Sequence, residues 1–120
     1  LQVLALAARA RAELALGRPA DALATVTRAM EALEAMGGIE EGESAVRLAH
    51  IECLQRNGQP VEAHAALERA HERLLERAGR IRERSWRARF LRDVPANARI
   101  LALAERRSAE PQPDTNRAAV

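Results

Sequence analysis

The sequence predicts an all-α chain of antiparallel helical hairpins, and three observations carry that expectation. Residues 9–36 align without a gap on residues 50–77 at an offset of 41. Gly17, Pro19, Ala22, Arg28, Ala29, Glu31 and Leu33 meet Gly58, Pro60, Ala63, Arg69, Ala70, Glu72 and Leu74, which is the signature of a repeat array. The apolar share of 48% comes mostly from Ala and Leu, with one Trp, one Phe and no Tyr, and small side chains suit helices that approach closely. β-branched residues are few, and Gly and Pro stand at a handful of punctuation points, so little strand is expected.

The first helix is expected over residues 1–16, with Gln2, Arg9 and Glu13 on one polar stripe, Arg11 alone on the far side, and Leu, Val or Ala elsewhere. A helix apolar nearly all round is expected to be buried on two sides, with a further element in front of it in a longer parent protein. Gly17 ends it, and Pro19 opens the next helix with Asp21 placed to favour its N-terminus. So short a connection forces an antiparallel hairpin. The second helix runs from Pro19 to Met36 with Leu23, Val26, Met30 and Leu33 on one face, until Gly37 and Gly38 stop it. The stretch 31–43 holds Glu31, Glu34, Glu40, Glu41 and Glu43 with no basic residue, an acidic shoulder and loop that reads as a solvated connection.

The third helix (43–57) and the fourth (60–81) repeat the hairpin, with Asn57 and Gly58 as the turn. The fourth helix offers His64, Leu67 and His71 where the second offers Leu23, Val26 and Met30. That loss of apolarity marks an array approaching its end, because terminal repeats face water or a cap. Trp86, Phe90 and Leu91 then recur at helical spacing in an Arg-rich stretch, which predicts a short helix with Ser85 as its N-cap. Val94 before Pro95 breaks it, and Pro95 opens a last helix carrying Ile100, Leu101, Leu103 and Ala104. These two form a capping hairpin over 85–107, after repeats at about 1–38 and 43–82. Residues 108–120 are polar, Pro-rich and aperiodic, the composition of a disordered tail.

In the first hairpin Ala10, Ala22 and Ala29 occupy the spacing at which tetratricopeptide repeats place small residues where helices cross, and in the second Ile51, Ala63 and Ala70 do so. The chain resembles that family in these positions and in its Gly-x-Pro turns. The 41-residue period is longer than the family's usual one and resembles the long-helix variant of kinesin light chains and bacterial signalling proteins. The stretch 90–104 resembles the end of the repeat region in bacterial signal-transduction ATPases and repeat-bearing Ser/Thr kinases. The resemblance implies a right-handed superhelix, two repeats plus the cap, in a cytoplasmic bacterial signalling or transcription-regulatory protein whose chemistry lies in other domains. It implies binding on a concave strip of Leu4, Ala7, Arg11, Leu14 and Ala15 from the first helix and Ala45, Leu48, Glu52, Gln55 and Arg56 from the third. A strip carrying Arg suits an acidic or carboxylate-bearing peptide.

Composition excludes several alternatives. All basic residues are Arg, but the net charge is only +2, which does not by itself argue for nucleic acid. A single cysteine, Cys53, makes no internal disulfide and fits a reducing compartment. Neither a membrane span nor a signal peptide is expected, and the beginning at Leu1, already inside a helical pattern, reads as part of something longer. His50, Cys53, His64 and His71 lack the close spacing of a metal site, so no metal and no cofactor are expected and a metal hydrolase is the weaker enzymatic alternative. The two histidines of the fourth helix are expected against Trp86 or Phe90. Neither a phosphate loop nor a Ser-His-Asp arrangement stands out, and Cys53 reads as a packing residue, so the chain is expected not to be an enzyme. The competing view is an Arg-mediated nucleic-acid or anion binder over 77–92, where Arg77, Arg80, Arg82, Arg84, Arg87, Arg89 and Arg92 face one acid, Glu83. Glu68, Glu72 and Glu76 are placed to pair with arginines of the fourth helix. Self-association through the apolar first helix is a third expectation.

Overall fold

The computed structural model describes residues 2–110. Six helices make up the architecture: α1 (Gln2–Ala15), α2 (Pro19–Met36), α3 (Glu43–Arg56), α4 (Pro60–Gly79), α5 (Arg84–Asp93) and α6 (Pro95–Ala109), with no strand among the described residues. The last helix runs through 108 and 109, which the sequence assigned to a tail, and the rest of that tail, 111–120, lies outside the described residues.

The 41-residue offset holds in the backbone. Both ends of α1 recur in α3 at that offset, and so does the start of α2 in α4. At the first turn Gly17 N donates to Leu14 O at 3.0 Å and Arg18 N to Glu13 O at 2.9 Å; at the second, Gly58 N donates to Gln55 O at 3.1 Å and Gln59 N to Leu54 O at 3.0 Å. The paired bonds satisfy carbonyls that the helix end would otherwise leave open. Arg18 and Gln59, each before its proline, share one non-helical conformation, φ −116° and ψ 66° against φ −115° and ψ 70°.

Ala10, Ala22, Ala29, Ile51, Ala63 and Ala70 are all buried, so the helices of each hairpin meet over small side chains, with Ile51 the one larger member. Two apolar clusters result. The first joins α1 and α2 to Val46, Ala49 and Cys53 of α3; the second joins Leu48, Ile51 and Leu54 of α3 to α4 and to Ile100 of α6. α3 is therefore buried on two sides. Leu33, Ile51, Leu74 and Ile100 are the largest fully enclosed side chains, each worth about 1.5–3 kcal/mol of burial.

Among the described residues α1 packs against α2 and α3, with Leu4 46% exposed and Leu16, just past its end, 69% exposed; the element expected in front of it was one of a longer protein. Several other expectations are corrected by the packing. The cap is not an even hairpin: α6 packs against α3 and α4, whereas α5 touches only α4 and α6 and buries no residue. Trp86 is 63% exposed and does not line the recesses that His64 and His71 border, since α5 turns that side to solvent. The N-cap of α5 is Glu83, whose carboxylate accepts from Ser85 N at 3.3 Å and Ser85 Oγ at 2.8 Å.

Glu43 departs furthest from its expected place in a solvated loop. Its side chain is enclosed at the start of α3, where Oε2 accepts from Arg73 Nε at 2.8 Å and from Arg47 Nε at 3.1 Å. Burial pushes its carboxyl up, but the bonds from Arg73 and Arg47 outweigh that and hold it below the usual carboxylate range. The loop has to pass closely here. A Cβ on Gly42, at φ +88°, would stand 2.5 Å from Leu4 Cδ2, and one on Gly38, at φ +113°, 2.7 Å from Arg73 Nη2.

Candidate functional site

The two hairpins are each followed by one helix that lies against both of their members, α3 on the first and α6 on the second. These two seams differ in chemistry. At the first, α2 supplies Val26 and Met30, both buried, and Leu23, which reaches both clusters. Asn57 Nδ2 donates to Pro19 O at 2.8 Å, tying the end of α3 to the start of α2, and to Cys53 O at 2.7 Å. The first seam is closed by apolar contact and a hydrogen bond.

At the second seam the matching residues of α4 are His64, Leu67 and His71. There a groove of about 420 Å³ opens, floored by Pro60, Ala63 and Leu67 of α4 and Leu103 of α6, with Gln55 at its α3 edge. Its polar wall is His64 with Arg99, Arg106 and Arg107 of α6, and Glu110 at the far end. A smaller recess of about 110 Å³ continues past His71, Ala104 and Ser108. His64 Nε2 lies 2.8 Å from Glu68 Oε1, so Glu68 pairs with a histidine rather than an arginine, while His64 Nδ1 is buried with no partner. Glu76 takes Arg73 and Arg80 as expected of its spacing.

A second groove, of about 430 Å³ and mostly apolar, lies at the other end of the α3 and α6 pair, between the loop at Glu40, Glu41 and Gly42 and the side chains of Phe90, Val94 and Ala96. Arg77 closes one wall, with Nη2 donating to Glu40 O at 2.6 Å and its guanidinium 5.7 Å from the Phe90 ring centre. Arg87 caps the turn before α5 by donating to Ile81 O from Nη2 at 2.6 Å. Two arginines of the basic stretch are thus committed to structure, while Arg82, Arg84, Arg89 and Arg92 stand exposed.

The residues placed on a concave strip divide. Leu14 and Leu48, with Ala7, are buried in the clusters and offer a partner no surface. Leu4, Arg11, Ala15, Gln55 and Arg56 are exposed and Ala45 and Glu52 half-buried; Gln55 reaches the basic groove and Ala45 the apolar one. The arginines of α6 were not among the expected site residues, although the pattern RILALAERR, read beside the change from Leu23 to His64, contains them.

No protein-family model, curated protein or solved structure matches this chain. Among the described residues no three His, Cys, Asp or Glu side chains converge as a metal site, and Cys53 faces the first cluster while His64 and His71 face the second seam. Burial, with Glu52 and Glu13 nearby, pushes the Cys53 thiol up to about 11, so it is protonated at neutral pH and a poor nucleophile. Burial and the charges of Arg69 and Arg47 hold His50 below its ordinary value despite Glu34.

Proposed function

We propose that the chain is a non-catalytic, tetratricopeptide-like scaffold module, its hairpins stacked in a right-handed superhelix, that binds a protein or peptide partner as part of a larger bacterial cytoplasmic signalling or regulatory protein. The observation that carries this reading is the reuse of one backbone template with a different outcome at each seam. Hairpins built on buried alanines spend their side chains on packing, and a groove that remains open beside charged groups is a surface for recognition. A second copy is a further partner that the exposed Leu4 of α1 and Leu16 just past its end admit.

The test is an array of octapeptides of graded charge probed with the labelled chain. Saturable binding to a charge-defined subset is expected, with no uptake of duplex or single-stranded DNA at 150 mM salt. One observation favours a nucleic-acid reading instead: Trp86, Arg84 and Arg89 are exposed on α5, and Arg82 is exposed just before it. DNA affinity that falls steeply with salt and vanishes when those three arginines become Gln would replace the peptide reading.

A further inference from the structure

If the module binds a peptide, the second seam narrows that peptide's chemistry. We infer that the groove between α4 and α6 receives an acidic side chain of the partner with an apolar neighbour, and that Glu110 of this chain occupies the acid's place in the partner's absence. This rests on the interaction reading above.

Three arginines line one cavity, and among the described residues Arg99 and Arg106 have no carboxylate within ion-pair distance. Arg107 has one: its Nη1 lies 3.2 Å from Glu110 Oε2, and Glu110 is itself part of the lining. A carboxylate thus already lies against this wall, held by a single charge-assisted contact. Glu110 is exposed and pairs across a single turn, so its hold is weak and a stronger competitor displaces it. The wall is basic and the floor is not. Ala63, Leu67 and Leu103 make an apolar base, and about 420 Å³ holds one or two side chains. An isolated anion would leave that base uncovered, whereas an acidic residue beside Leu or Val fills both halves. The opening is particular to this seam, because at the first one Leu23 stands in the position of His64 and the seam is closed.

The experiment titrates the whole chain into a fluorescein-labelled octapeptide of four Glu-Leu pairs, at fixed ionic strength, and reads anisotropy. Saturable binding is expected, at least tenfold weaker for the Gln-Leu peptide and at least tenfold weaker for the Arg99→Gln/Arg106→Gln double variant, with unchanged helical circular dichroism. Glu110→Gln removes the internal competitor and is expected to tighten binding severalfold, an effect that lost structure cannot imitate. Equal binding of both peptides, or a Glu110→Gln variant that binds no better, overturns the inference. Binding that survives in the double variant but disappears in Arg11→Gln/Arg56→Gln also overturns it, while leaving the interaction reading intact. No binding of the Glu-Leu peptide at millimolar concentration rejects the groove, and if the octapeptide array is blank as well, the interaction reading falls with it.

Discussion

Where α3 lies on the first hairpin, Val26 and Met30 are buried against it and Asn57 Nδ2 reaches across to Pro19 O. Where α6 lies on the second, His64 and His71 border open space, and the arginines of α6 face them over a groove. The turns beneath both seams match to within 0.1 Å in the hydrogen bonds that close them. Glycine, proline and alanine therefore set the backbone, and a handful of larger side chains decide whether a seam closes. The hairpins also differ inside. Thr25 Oγ1 donates to Glu13 Oε1 at 2.6 Å in the first, where the second has the apolar pair Ala66 and Leu54.

α3 belongs to both seams, and the largest effect is expected where it is anchored. Glu43→Gln leaves Arg73 and Arg47 without the carboxylate they share and is expected to cost about 2–4 kcal/mol in urea denaturation. Because the Glu43 pKa is lowered on folding, the contribution is complete above the ordinary carboxylate range and lost as the pH falls through the folded value. The wild type is thus expected to lose stability on acidification in that range more steeply than the variant does. Equal slopes would show that the carboxylate is not the anchor.

Next comes a direct contrast between the seams. Met30→Ala is expected to cost about 2–4 kcal/mol as a buried truncation, and His71→Ala, at the equivalent position, no more than about 0.5 kcal/mol. Comparable losses would mean that the second seam is packed as firmly as the first. A smaller effect is expected from Asn57→Ala, about 1–2 kcal/mol, for the bonds to Pro19 O and Cys53 O. Leu16→Ala at the matching place in the first turn should be nearly silent, since that side chain is largely exposed.

Most of the helices were legible from punctuation: Pro19, Pro60 and Pro95 each open one, and Gly17, Gly37 and Gly58 close others. The crossing positions were legible because Ala at fixed spacing has one economical place in a helical pair. Glu43 was not, because its partner Arg73 is 30 residues away and its neighbours Glu40 and Glu41 do meet solvent. Trp86 misled in the opposite sense: an aromatic at helical spacing signals a core, but α5 packs through Phe90 and Leu91 and turns Trp86 to solvent. Leu14 and Leu48 were assigned to a binding strip by family pattern, yet large apolar side chains beside close-packed alanines complete the core instead. The basic groove depends on where α6 lands, and a connection that includes the whole of α5 conceals that from local pattern.

His64→Leu tests most directly whether the second seam is open because of the side chains it carries. The change restores the residue found at Leu23 and removes a buried, unpartnered Nδ1 at the expense of the contact with Glu68. In urea denaturation at neutral pH it is expected to raise stability by about 0.5–1.5 kcal/mol, as α6 settles onto an apolar seam. A loss of stability would contradict the account, because it would mean that the histidine is part of the packing and that the groove is not made by its presence.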